Sequence, residues 1–295
     1  MSDAQQHKTA DGSYSRAWRR FTTIVLPPTI RSMMALEWRG AENVPPREGM
    51  ILAANHLSYT DILALSLFVY RAGRYPVFLA KSSLFDIPGF GALLRKLGQL
   101  PVYRGQANAG TVLADAERIS KAGACVIFYP ESTVTRDPDL WPMVAKTGVA
   151  RLALSADLPV IPVAHWGAQR LLPYGKVAPR VLPRKRVRVL AGPAVDLSEF
   201  KGQPLTSAVL RAATDKIMAQ VAAQLGDLRG ETPPAVPYHW AAARRQLRQD
   251  LRTLQQAAGA ETPAPDQPAP DQTVPDQTVP DQTAPDQTAP GPGSP

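Results

Sequence analysis

His56 and Asp61 stand with four residues between them in "ILAANHLSYTD", residues 51–61. An imidazole paired with a carboxylate can serve as a general base. The carboxylate accepts from one ring nitrogen and fixes the tautomer, and the other nitrogen takes a proton from a hydroxyl. Spacing alone does not deliver this pair. Along a continuous helix, five residues turn two side chains about 140° apart, at about 100° per residue. The two groups meet only if His56 lies in a turn and Asp61 in the first turn of the helix that follows. A purely structural role competes. Ser58 as N-cap and Asp61 as N3 would form an S-x-x-D capping box, with His56 an ordinary loop residue.

That turn needs a strand before it and a helix after it. "MILAAN" (50–55) reads as a short buried strand, and "YTDILALSLFVYRAG" (59–73) as a helix closed by Gly73. Further strands are expected in 76–81, 99–105, 124–132, 158–168 and 184–197. Helices are expected in 89–98, 107–123, 146–157, 204–228 and 239–259. Strands alternating with helices predict an α/β fold: a mixed, partly parallel sheet flanked by helices. His56 then lies at the carboxyl edge of a strand, where open α/β sheets place their ligands.

The ends of the chain differ from this body. Residues 261–295 repeat a P-D-Q unit with almost nothing to bury, and predict a disordered tail. The 295-residue chain carries +8; because residues 262–295 hold five Asp and no base, residues 1–261 carry +13. A basic body points to anionic partners: nucleic acid, anionic lipid or a phosphorylated substrate. No helix-turn-helix, zinc spacing or aromatic–basic platform marks a nucleic-acid binder. Residues 1–40 mix Trp18, Phe21, Ile24, Val25, Met33, Met34, Leu36 and Trp38 with arginines. The apolar run is short and interrupted by Pro27 and Pro28, whereas a membrane span needs about 20 mostly apolar residues. This suits either an amphipathic element in a membrane interface or a helix pair packed on the protein's own core. Residues 41–230 form the expected main domain. Residues 231–260 hold a basic amphipathic helix, with Trp240, Leu247, Leu251 and Leu254 near one face. Cys125, the one cysteine, sits in the apolar run "ACVIFYP" and reads as core.

Four blocks in order carry a resemblance. "NHLSYTD" (55–61) resembles the N-H-x4-D block of the glycerolipid acyltransferases. "GQLPVYR" (98–104) is similar to their G-x-I-x-V-x-R block, "FYPESTVTR" (128–136) to F-P-E-G-T-R, and "VIPV" (160–163) to an apolar strand with proline. Among these enzymes the bacterial 1-acyl-glycerol-3-phosphate acyltransferases are the nearest likeness.

The resemblance implies that His56 is a general base on an acceptor hydroxyl, with Asp61 as its partner. The acyl donor would be acyl-CoA or acyl carrier protein, as co-substrate, with no metal or other cofactor. The acceptor would be a lysophospholipid, and the location peripheral, on the cytoplasmic face of an anionic membrane. Arg104 is the expected phosphate ligand, since a guanidinium grips phosphate by two hydrogen bonds. Glu131 would hold an arginine or a glycerol hydroxyl, Thr133 is retained from the third block, and Lys146 is a candidate second cation. Two departures stand out: Ser132 replaces the family glycine, and Val134 the family arginine. Arg136, two positions on, is a candidate substitute. Glycine at such a turn usually permits positive φ or close backbone approach. Three other readings remain: transfer to another acceptor, a catalytically weak membrane-binding member, and a hydrolase using Ser132, His56 and Asp61. The last lacks the G-x-S-x-G elbow.

Overall fold

The computed structural model describes residues 16–102 and 109–260. The tail, the chain before Arg16 and the segment 103–108, with Arg104, lie outside these residues.

Among the described residues seven strands form one sheet in the order β1-β7-β6-β2-β5-β3-β4. They are β1 (Met34–Arg39), β2 (Met50–Ala54), β3 (Pro76–Lys81), β4 (Leu100–Val102), β5 (Cys125–Phe128), β6 (Val160–Trp166) and β7 (Lys185–Ala191). Among the described residues only β6 and β7 pair antiparallel; the other neighbours are parallel. The helices are α1 (Arg16–Met33), α2 (Asp61–Arg71), α3 (Phe90–Lys96), α4 (Ala109–Lys121), α5 (Gly148–Ala156), α6 (Ala168–Leu171), α7 (Ser207–Arg229) and α8 (Trp240–Ala260). The chain divides into two compact units, the second beginning at Gln246 within α8.

The central strand shows why the sheet is covered on both faces. All five residues of β2 are buried, and a strand buried on both sides reads as an unbroken apolar run. Side chains alternate across a strand. Leu52 and Ala54 therefore join Phe68, Ile127 and Ile161 in one core cluster. Ile51 and Ala53 join Val149, Leu152, Leu210 and Ile217 in the other. Cys125 belongs to the first cluster, and burial pushes its thiol up to about 12, which leaves it an inert core residue.

The N-terminal region corrects part of the sequence reading. Residues 34–39 are an edge strand, parallel to β7 with Met34 opposite Lys185. Met34 is buried, and the partly buried Met33, Leu36 and Trp38 pack against the same core. Helix α1 runs through Pro27 and Pro28, and Ile24 and Val25 are exposed on it. No helix among the described residues is long and apolar enough to cross a membrane. Leu247, Leu251 and Leu254 of α8 are likewise exposed.

Candidate active site

Strands β2, β5 and β6 are parallel neighbours, so their carboxyl ends meet at one edge of the sheet. Asn55 and His56 leave β2 there, Tyr129–Ser132 leave β5, and His165 is the last residue but one of β6.

His56 Nδ1 lies 3.0 Å from Asp61 Oδ2. The chain turns between them, and α2 starts at Asp61 itself. The N-cap is Thr60 rather than Ser58, which corrects the capping-box assignment. One half of that box survives: Asp61 Oδ2 accepts from Ser58 N at 2.8 Å and also from Leu57 N at 2.6 Å. Two backbone donors on this fully buried carboxylate aim it at the imidazole. With Nδ1–H donating to Asp61, His56 Nε2 carries the lone pair, and it has no hydrogen-bond partner among the described residues. The ring is held flat against Tyr129, 4.2 Å between centroids.

The His56 backbone is fixed from the β5 loop. His56 N donates to Glu131 Oε1 at 3.0 Å, and Thr135 N donates to His56 O at 2.8 Å. Glu131 Oε2 accepts from Met143 N at 3.0 Å. Among the described residues the Glu131 carboxyl thus holds two backbone amides rather than an arginine. Burial pushes it up to about 8, against the pull of those two N–H bonds and with a smaller push from the Asp61 charge.

Asn55 and His165 form a second support that the sequence reading missed. The Asn55 side-chain amide pairs with both backbone groups of His165, at 2.9 and 3.1 Å, and so extends the β2–β6 ladder by one residue. His165 Nε2 lies 2.7 Å from Asn55 O and 3.4 Å from Asp61 Oδ2. It is fully buried. The available signal was a polar residue in an otherwise apolar strand, since a buried polar group needs a partner.

The remaining expected residues fall into different settings. Ser132 has φ 61°, so it adopts the backbone that a glycine would supply there. Its Oγ lies 3.4 Å from Pro130 O. It stands four residues past β5, while the next helix begins at Gly148; the strand–serine–helix turn of a hydrolase elbow is not built. Val134, in the family arginine's place, is 2% exposed. The Arg136 guanidinium stacks over Tyr174, 3.5 Å from the ring centroid, and its Nη2 reaches Thr133 Oγ1 at 3.4 Å. Lys146 is exposed, and its backbone N donates to Pro130 O at 2.9 Å. Among the described residues no cluster of His, Cys, Asp or Glu is arranged to hold a metal ion.

Left-handed backbone costs a non-glycine residue about 1–2 kcal/mol, and glycine loses roughly 0.5–1 kcal/mol of that gain to its freer unfolded chain. Ser132→Gly is therefore expected to stabilise the protein by up to about 1 kcal/mol. Urea unfolding checks this; a clear loss of stability would mean that the hydroxyl contacts outweigh the strain.

The Acyltransferase family model matches residues 35–166. Residues 35–166 are thus similar to the acyltransferase family. It is 29% identical over 154 residues to a chloroplastic 1-acyl-sn-glycerol-3-phosphate acyltransferase of Brassica napus, covering 52% of this chain and 42% of that protein. It is 28% identical over 174 residues to the 1-acyl-sn-glycerol-3-phosphate acyltransferase of Borreliella burgdorferi, covering 58% and 66%. The match thus spans less than two thirds of either relative's length. A solved 1-acyl-sn-glycerophosphate acyltransferase from Thermotoga maritima shares the fold, with TM-score 0.56 and 22% identity over 79% of this chain and 86% of that one. The acyltransferase-family match begins inside β1 and ends at the last residue of β6. It therefore contains the His56–Asp61 pair, the Glu131 loop and His165.

Proposed function

We propose that the chain is an O-acyltransferase that moves a fatty acyl group from acyl-CoA or acyl carrier protein to the free hydroxyl of 1-acyl-sn-glycerol-3-phosphate. The product would be phosphatidic acid. The observation that carries this reading is the 3.0 Å contact between His56 Nδ1 and Asp61 Oδ2, which leaves Nε2 as an unpartnered base at the carboxyl edge of the sheet. His56 Nε2 takes the acceptor's hydroxyl proton as that oxygen attacks the thioester carbonyl carbon. The C–S bond then breaks, and the leaving thiolate takes the proton back from the imidazolium. The acceptor hydroxyl fills the place a nucleophilic serine holds in a triad, so no acyl-enzyme forms. Asp61 stabilises the transient imidazolium, and Glu131 and Asn55 position the turn. Arg104, with Arg136 or Lys146, is proposed to face the acceptor phosphate. The enzyme works as a peripheral protein on the cytoplasmic face of an anionic membrane.

One observation favours a second reading, transfer to a different lysolipid by the same chemistry. Val134 is buried where the family places an arginine, and Arg136 is stacked on Tyr174. The two readings separate in an acceptor panel. On the first, turnover with lysophosphatidic acid exceeds that with zwitterionic lysolipids by roughly ten- to a hundredfold, the worth of a hydrogen bond to a charged group. Equal or inverted rates would favour the second.

A further inference from the structure

The segment between β6 and β7 is not used by this chemistry, yet it adjoins the site. Residues 174–184 are exposed without interruption. Val177 is 97% exposed and Leu182 79% exposed, and Tyr174 and Val181 are exposed beside them. Isolated exposed apolar residues are ordinary on a protein surface; several on one loop are a surface that something covers. The charge around them has a single sign. Seven Lys and Arg residues and no Asp or Glu lie between Asp157 and Asp196. Lys176, Arg180 and Arg184 interleave with the apolar residues of the loop itself.

The loop is held at its base. Ser58 Oγ donates to Leu172 O at 2.7 Å, Arg180 N donates to Leu171 O at 2.7 Å, and Arg184 Nη2 donates to Met34 O at 3.1 Å. Pro173, Pro179 and Pro183 restrict its backbone further. It also touches the site's rim: Tyr174 packs 6.4 Å from Tyr59, three residues after His56, and lies under Arg136. Ile62, on the first turn of α2, is exposed on the same stretch of chain as Tyr59.

We propose that residues 174–184 are a lipid-contacting lip, which inserts Val177 and Leu182 at an anionic bilayer surface and seats Lys176, Arg180 and Arg184 among its headgroups. Apolar side chains flanked by bases without acids match the chemistry of an anionic interface. A loop already held at its base loses little freedom on docking. The choice of lipid as occupant rests on the acyl-transfer reading, since a lipid acceptor must reach His56 from a membrane and the lip stands beside that turn. The lip is separate in sequence from α1.

The test uses the full chain and vesicles of phosphatidylcholine, with and without phosphatidylglycerol. The Val177→Asp/Leu182→Asp double variant is expected to bind anionic vesicles about tenfold or more weakly. Because both side chains are exposed, its melting temperature is expected to stay unchanged. Val177→Cys carrying an environment-sensitive dye is expected to shift to the blue on anionic vesicles and to lose the shift in high salt; buried Cys125 does not compete for the label. Unchanged binding of the double variant with no dye shift would overturn the proposal, as would binding to nucleic acid in place of vesicles. The two readings fail separately. A chain that docks through the lip but transfers no acyl group keeps this inference and loses the proposed reaction. A chain that acylates acceptor while its docking ignores the lip does the reverse.

Discussion

Replacing His56 with alanine is expected to lower acyl transfer about 10²–10⁴-fold, the usual contribution of a positioned general base. The loss is expected in kcat, because the imidazole acts on the acceptor proton as the new bond forms, and not in the affinity of the thioester. The fold should survive. His56 lies in a turn, its ring is only partly buried, and the backbone bonds to Glu131 and Thr135 do not need the side chain. A folded His56→Ala protein with near-normal turnover would remove the imidazole from the mechanism. Exogenous imidazole partially restoring the rate would place the missing function in the ring itself.

The second large effect is expected at Glu131, and in stability before rate. Glu131→Ala removes the acceptor of two backbone N–H groups, those of His56 and Met143. A buried donor left unpaired costs about 1–3 kcal/mol, so the variant is expected to lose on the order of 2–5 kcal/mol. Activity should fall with it, because the turn that aims His56 loses its tether. Glu131 also gives the protein a pH signature. Burial raises its carboxyl from the ordinary 4.5 to about 8. Between these values the folded state holds a proton that the unfolded chain releases. Unfolding free energy is therefore expected to fall as pH rises through that window, by a few kcal/mol at about 1.4 kcal/mol per unit, and to level off above it. Urea titrations at pH 5 and pH 8.5 read this directly. In Glu131→Gln the slope should flatten, at a fixed cost, since the amide accepts from one of the two N–H groups but opposes the other. An equal slope in wild type and Glu131→Gln would assign the pH dependence to other groups.

These expectations draw on contacts of different range, and range explains what the sequence disclosed. The apolar run of β2 and the Gly73 that closes the turn after α2 are local signals, and both elements stand within a few residues of their expected limits. The His56–Asp61 contact was legible for the same reason: five residues and one turn decide it. Strand β1 was not legible. "MALEWR" alternates weakly, carries Glu37 and Arg39, and becomes a strand through β7, with Met34 opposite Lys185. Pairing across such a separation leaves no local periodicity. The supports of the turn were hidden in the same way. Glu131 reaches His56 across 75 residues, and Asn55 reaches His165 across 110. Glu131 was visible as a motif residue, but its partners were not: a carboxyl that accepts from two amides and one that grips an arginine look alike in sequence. Ser132 was flagged as a departure from glycine, and its φ of 61° shows that the backbone kept the glycine conformation while the side chain changed.

The central claim is that this pair deprotonates a lysolipid hydroxyl for acyl transfer. The most direct test incubates the purified chain with 1-acyl-sn-glycerol-3-phosphate and either acyl-CoA or acyl carrier protein thioester, with His56→Ala in parallel, and follows phosphatidic acid by mass spectrometry. The account predicts phosphatidic acid from the wild-type chain with at least one donor, no acylated protein at any time, and product from the variant reduced about 10²-fold or more. Equal product from the two proteins, an acyl group found on the enzyme, or no product with either donor would contradict it.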